Sequence, residues 1–248
     1  MIQLIRRGKA TTDVPLLAIP GLDGSTGSIE PIVTRLAEQR EVIVVDFSAE
    51  TNPTLEALVA EIADGVRAEI NTTLDVMGQS IGTILAAQIA TQHSLPVRRV
   101  ALTCTFTRLR WTTLRWVVRF TRLSPVWLYR LTSPLTIAIS CGPVGDGRNH
   151  PAFAASRNSD KRAVARRTAW QIDRDFSHDL VKIRSPLLIL MGDSDRFVAN
   201  AEREIAALRE LFAGHSRAQV MTVPNAGHIF LPSAAIDFAC AQIELFLR

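Results

Sequence analysis

What this 248-residue chain lacks narrows it first. No apolar run approaches the ~20 residues that a helix needs to cross a bilayer. No apolar stretch long enough for a secretory signal follows the charges of residues 1–10, so the expected location is the cytoplasm. Cysteine is limited to Cys104, Cys141 and Cys240. That number is odd and the spacing too wide for a metal-ligand pair, so buried free thiols are expected in place of a disulfide framework. Repeats and low-complexity linkers are absent, which fits one folding unit. Lysine is scarce, at 3 against 25 arginines, a bias that genome base composition produces as readily as selection for guanidinium chemistry.

What is present suffices for a large core, with 47% hydrophobic and 21% charged residues. The net charge of +4 is unevenly held: residues 106–184 carry 15 Lys and Arg against 5 Asp, and the remainder 13 basic against 19 acidic residues. The basic character belongs to one segment, and no nucleic-acid partner is expected.

The chain is organised around residues 74–82, an apolar run that ends in Gly78-Gln79-Ser80-Ile81-Gly82 and passes straight into a helical pattern to Gln92. This reads as a strand, a tight turn and a helix, with Ser80 at the apex. The glycines relieve the close packing of strand on helix. The N–H groups opening the helix at Ile81 suit an oxygen that becomes negative during acyl transfer.

Around it, strand patterns at residues 3–7, 14–19, 41–47, 97–105, 187–191 and 219–223 alternate with helical ones at 29–39, 54–70, 200–212 and 236–247. Such alternation indicates a doubly wound, mostly parallel α/β sheet with ligands at the carboxyl ends of the strands. The alternation fails between Phe106 and Asp179. There, an amphipathic basic helix over 109–123, an apolar pattern over 126–131 broken at Ser133-Pro134, and a basic helix over 161–172 read as a helical lid. The expected division is a core of residues 1–105 and 183–248 with a cap of residues 106–182 inserted.

Pro20-Gly21-Leu22-Asp23-Gly24-Ser25-Thr26-Gly27 follows a strand and precedes a helix. Such a loop can cradle a diphosphate, with Asp46 holding a ribose, or it can bind an oxyanion. The Gly-x-x-Gly-x-x-Gly spacing is not the dinucleotide fingerprint, and Pro20 stands where its first glycine belongs. No cofactor and no metal are therefore expected. Asp23 either lines the pocket or caps the next helix.

Serine needs a base within hydrogen-bond reach and a group that orients the base. The chain supplies Ser80, then an aspartate in Gly192-Asp193-Ser194-Asp195, then His228 in Ala226-Gly227-His228, each just after a predicted strand. Asp193 and Asp195 compete for the orienting role. His93, His150, His178 and His215 lack such settings and read as surface or loop residues.

In these three motifs, and in their order, the sequence resembles the α/β-hydrolase fold family over nearly its whole length. The resemblance implies that Ser80 attacks a carbonyl, that His228 moves the proton, and that Asp195, three residues after the glycine, orients His228. It also implies an oxyanion hole made by the backbone N–H groups of Leu22 and Ile81. Pro20-Gly21 replaces the more usual His-Gly of the family, in a manner similar to thioesterases and lipid-directed esterases, and Thr83 replaces a small residue after the turn. The expected function is a serine hydrolase that cleaves a carboxylic ester or thioester with an apolar acyl group. The alternatives are an acyltransferase using the same triad and a non-catalytic ligand- or surface-binding relative.

The insertion's Trp111, Trp116, Phe120, Trp127 and Leu128 are expected to line an acyl pocket, or else to pack the lid on the core. Arg108, Arg110, Arg115, Arg119, Arg122 and Arg130 are read as a solvated face or as a dock for the phosphates of coenzyme A or an acyl carrier protein. Membrane contact is compatible with the stripe but is not the expectation.

Overall fold

A computed structural model describes residues 2–9, 14–92, 95–109, 114–198 and 200–248. Seven strands form one sheet: β1 (Gln3–Arg7), β2 (Leu16–Ile19), β3 (Val42–Asp46), β4 (Leu74–Gln79), β5 (Val97–Thr103), β6 (Leu187–Gly192) and β7 (Ala218–Val223). Their order across the sheet is β1-β3-β2-β4-β5-β6-β7, with β1 antiparallel to β3 and every other neighbour parallel.

Covered on both faces, β2 and β6 read as unbroken apolar runs. Their residues alternate between two layers. Leu17, Ile19, Ile43, Val45 and Val76 pack with α2 (Leu55–Glu69), α3 (Ile81–Gln92) and α9 (Ala201–Leu211). Leu16, Ala18, Val42, Val44 and Met77 pack with α1 (Glu30–Leu36) and α10 (Ser233–Leu247). The helices begin where the sequence marks them: Thr54 accepts from the Ala57 N–H at the start of α2, and Asn200 from the Arg203 N–H at the start of α9.

Between β5 and β6 lie α4 (Leu114–Leu123), α5 (Val126–Ser140), α6 (Pro151–Asn158), α7 (Lys161–Ala169) and α8 (Ser177–Leu180). α4 packs on α7 and α5 on α6, while α6 meets the short turn Thr26–Ser28 of the core. Thus α4 and α5 form an outer layer over α6 and α7. The expected break at Pro134 does not occur, because α5 runs through it. Proline removes one backbone bond. The Thr132 and Thr136 hydroxyls bond the carbonyls of Leu128 and Thr132, at 2.9 and 3.0 Å, and stitch the helix on either side.

At the amino-terminal end of β4, remote from the turn at Ser80, Asp75 is fully buried. It accepts two bonds from Arg98, at 2.9 and 2.6 Å, and a third from Arg40 at 3.3 Å. Arg98 also reaches the Leu247 carbonyl at 2.7 Å, anchoring the end of α10 to the sheet.

Candidate active site

Ser80 is the single residue between β4 and α3, held at a φ of +55° that only close packing on both sides sustains. A Cβ on Gly78 would overlap the Gly82 carbonyl, and one on Gly82 would overlap those of Ile19 and Pro20, so both positions require glycine. The Ser80 N–H donates to Thr103 O at 3.0 Å, and its carbonyl accepts from the Thr83 N–H at 2.9 Å and the Thr83 hydroxyl at 2.6 Å. Thr83, the departure from the usual small residue, thus ties the turn to Thr105, whose hydroxyl lies 2.8 Å away.

The parallel sheet delivers the other two side chains to this edge. His228 Nε2 lies 2.8 Å from Ser80 Oγ, and His228 Nδ1 lies 2.7 Å from Asp195 Oδ2. The second Asp195 oxygen accepts the N–H groups of Phe197 and Val198, at 2.8 and 3.3 Å. A carboxylate only accepts, so Nδ1 carries the imidazole proton and Nε2 is free to take the Ser80 proton. Asp193 is turned away: it accepts the Ser194 hydroxyl at 2.8 Å and the Asn225 N–H at 3.0 Å, which staples two loops together.

All three side chains are shielded, with residue exposures of 8% for Ser80, 3% for His228 and 4% for Asp195. The Phe197 ring stacks on the imidazole at 4.2 Å. The His228 N–H donates to Cys141 O at 2.6 Å, and a Cβ on Gly227 would land on that same oxygen. Gly227 therefore lets the end of α5 seat against the histidine loop. All three cysteines are free and buried, and burial pushes the Cys141 and Cys240 thiols up to about 12.

The Pro20–Gly24 loop lies against the serine, since a Cβ on Gly21 would be 3.5 Å from Ser80 Cβ. Ile81 opens α3, where N–H groups lack an intrahelical partner. The Leu22 N–H is likewise without a backbone acceptor among the described residues. Asp23 accepts the hydroxyls of Ser25 and Ser28, at 2.5 and 3.3 Å, and burial raises its pKa; Ser25 caps the turn that follows. Asp46 accepts the N–H and hydroxyl of Ser48, at 2.9 and 2.6 Å, as a turn-former. Among the described residues no cluster of three His, Cys, Asp or Glu side chains could hold a metal.

Several expectations are corrected. Trp116, Phe120 and Trp127 are 69%, 54% and 67% exposed and stand on the outside of α4 and α5 instead of walling a pocket. Helical spacing revealed the stripe but not which side of it turns inward. Trp111, Arg110 and His93 lie outside the described residues. His178 and His215 are exposed, as expected, but His150 is buried. It caps α6 by accepting the Ala152 N–H at 3.1 Å, and burial lowers its pKa to about 4.

Two residues near the site escaped the sequence reading. Arg167 of α7, 1% exposed, reaches into the core to bond Glu50 Oε1 at 3.0 Å and the carbonyls of Leu22 and Phe47 at 2.9 and 2.5 Å. Gln79, directly before Ser80, is buried with neither amide atom bonded to a protein partner among the described residues. Only its place in the Gly-x-Ser-x-Gly motif could have flagged it.

Known proteins bear on this arrangement in three ways. A thermophilic esterase from Thermogutta terrifontis superposes with a TM-score of 0.76 at 20% identity, covering 100% of this chain and 93% of that one. An enol-lactonase from Burkholderia xenovorans LB400 superposes with a TM-score of 0.78 at 20% identity, covering 99% and 96%. These likenesses speak to the fold. A pimeloyl-[acyl-carrier protein] methyl ester esterase from Neisseria meningitidis is 39% identical over 51 residues, which is 21% of this chain and only 20% of that relative's length. The alpha/beta hydrolase family matches residues 16–240, nearly the whole sheet and everything that brings Ser80, Asp195 and His228 together, and the chain belongs to that family.

Proposed function

We propose that the protein is a serine hydrolase of carboxylic esters that works through an acyl-enzyme on Ser80. The observation that carries this reading is the unbroken relay from Ser80 Oγ through His228 to Asp195, at 2.8 and 2.7 Å, on a positive-φ turn beside the Ile81 N–H that opens α3 and the Leu22 N–H, which has no backbone acceptor among the described residues. His228 Nε2 takes the hydroxyl proton as Oγ bonds to the ester carbonyl carbon. The carbonyl oxygen, now negative, is held by the N–H groups of Leu22 and Ile81. Collapse breaks the bond to the alkoxide, which leaves with the proton from His228. Water, deprotonated by the same imidazole, then releases the acid and restores Ser80.

Ester chemistry is favoured by the similar proteins, which are an esterase, an enol-lactonase and a methyl ester esterase. Residues 106–182 act in this reading as a cap whose inner helices, α6 and α7, cover the strand edge. The test is labelling by a fluorophosphonate together with hydrolysis of aryl esters of graded acyl length. Both should be lost in Ser80→Ala, with turnover falling by about 10⁵ to 10⁶. A folded wild type that reacts no faster than Ser80→Ala refutes the reading.

A further inference from the structure

The outer layer of the insertion exposes large apolar side chains at helical spacing. On α5, Trp127, Leu131, Leu135 and Ile139 recur every fourth residue and are 67%, 69%, 59% and 61% exposed. The side of α5 that turns inward is mixed: Tyr129 is buried, Leu128, Ile137 and Ala138 are half-buried, and the Ser133 hydroxyl donates to Ser156 O of α6 at 3.1 Å. On α4, Trp116, Val117, Phe120 and Leu123 are exposed as well. A water-soluble helix places such residues inward, so this surface is built to be covered.

Its charge says by what. Residues 106–145 contain six arginines and no aspartate or glutamate. Arg115, Arg119 and Arg122 run along one flank of α4, and Arg130 stands beside the row on α5, all exposed. Arg115 pairs with Asp173. Arg119, Arg122 and Arg130 have no carboxylate partner among the described residues. A second copy applied to the same face would bring these arginines against each other with no acid between them, since a two-fold contact joins like to like. An acidic protein would match the arginines but not a row of tryptophan, leucine and isoleucine across two helices. An anionic bilayer satisfies both, with phosphates for the guanidinium groups and an acyl boundary for the apolar row. No helix among the described residues is long and apolar enough to cross a membrane, so α4 and α5 would lie in the interface plane.

We propose that α4 and α5 dock this protein on an anionic bilayer surface, with Trp116, Phe120, Trp127 and Leu131 entering the headgroup boundary and Arg119, Arg122 and Arg130 on lipid phosphates. The proposal rests on the surface alone and stands whether or not Ser80 is a nucleophile.

The experiment is flotation of the full chain with phosphatidylcholine vesicles, with and without 30 mol% (about a third) phosphatidylglycerol, followed by tryptophan fluorescence. The wild type should float with the anionic vesicles, its emission shifting to the blue, and bind neutral vesicles at least about tenfold more weakly. Binding should weaken as salt shortens the screening length from ~10 Å to ~3 Å. Arg119→Gln with Arg122→Gln and Arg130→Gln should cost about 10²-fold, near fivefold per arginine. Leu131→Ser with Leu135→Ser should weaken binding at every salt concentration. Both variants change exposed side chains, and their thermal unfolding should match the wild type.

Absence of wild-type binding to anionic vesicles overturns the proposal, as does equal, salt-indifferent binding to neutral ones. A dimer in light scattering that Leu131→Ser with Leu135→Ser dissociates would give the face to a second copy. Binding of an acidic carrier protein with none to vesicles would give it to that partner.

Discussion

Arg167 Nη1 donates to the carbonyl oxygen of Leu22 at 2.9 Å, so a side chain of the helical insertion holds the loop that lies against Ser80. The guanidinium is planar, fully buried and shared among Glu50, Phe47 and Leu22, and it stacks over the Phe47 ring at 4.9 Å. An ammonium cannot reproduce that fork. Arg167→Lys should lower kcat by about 10- to 100-fold with a smaller change in KM if, as proposed, the Leu22 N–H is an oxyanion donor that this side chain positions. Arg167→Gln, which leaves the buried Glu50 paired with Arg166 alone, should also lose about 2 kcal/mol of stability in urea unfolding. A kcat unchanged in Arg167→Lys would reduce the residue to a fold element.

The two aspartates of the turn after β6 have separate partners, and amide substitutions should separate their roles. Asp195→Asn can offer its NH₂ group to Nδ1 and so stabilise the wrong imidazole tautomer, a change that costs up to ~10⁴ in turnover. Asp193→Asn keeps an acceptor for Ser194 or Asn225 and should remain within about tenfold of wild type, with a stability loss near 1 kcal/mol. Steady-state kinetics on one aryl ester decides it, and a severe Asp193→Asn would reassign the orienting acid.

How far the chain can be read without coordinates follows from what kind of contact each feature depends on. The strands were legible because a parallel strand buried on both faces is an apolar run, as Leu187–Gly192 is. Ser80, Asp195 and His228 could be paired because parallel topology puts every strand-end loop on one edge. Features carried by single long-range contacts left no local pattern. Arg167 meets Leu22 across 145 residues, and Asp75 sits in what reads as an uninterrupted apolar strand while binding Arg98. The outward turn of the Trp127 row was equally hidden, since periodicity records that a helix has two faces and not what each one meets.

Gln79 offers a test of a polar group with no protein partner among the described residues. Leaving a buried donor or acceptor unpaired costs about 1–3 kcal/mol. Gln79→Met, of similar length and without the amide, should therefore raise the stability of the free protein by about 1–2 kcal/mol in chemical denaturation. If the amide is kept for a polar atom of the acyl group, the same variant should raise KM for hydroxylated or amide-bearing esters and leave plain alkyl esters nearly unaffected. A loss of stability in Gln79→Met would show that the amide is satisfied in solution.

His150 makes the stability of the insertion depend on pH. Its Nδ1 accepts the Ala152 N–H at the start of α6, which a doubly protonated ring cannot do, and burial lowers its pKa from 6.5 to about 4. Between those values the unfolded chain binds more protons than the folded one, so stability rises with pH there. The contribution is fully present above pH 6.5 and is lost as pH falls towards 4, by at most about 3 kcal/mol at ~1.4 kcal/mol per tenfold. His150→Asn keeps a capping acceptor and removes the titration. Urea midpoints measured for both proteins between about pH 7.5 and pH 4.5 should converge as the pH falls, because carboxylate titrations are common to the two and cancel in the difference. Parallel profiles would mean that the His150 ring is solvated enough to protonate in place, and that the end of α6 is held by Pro151 and the contacts with α5 and the Thr26–Ser28 turn.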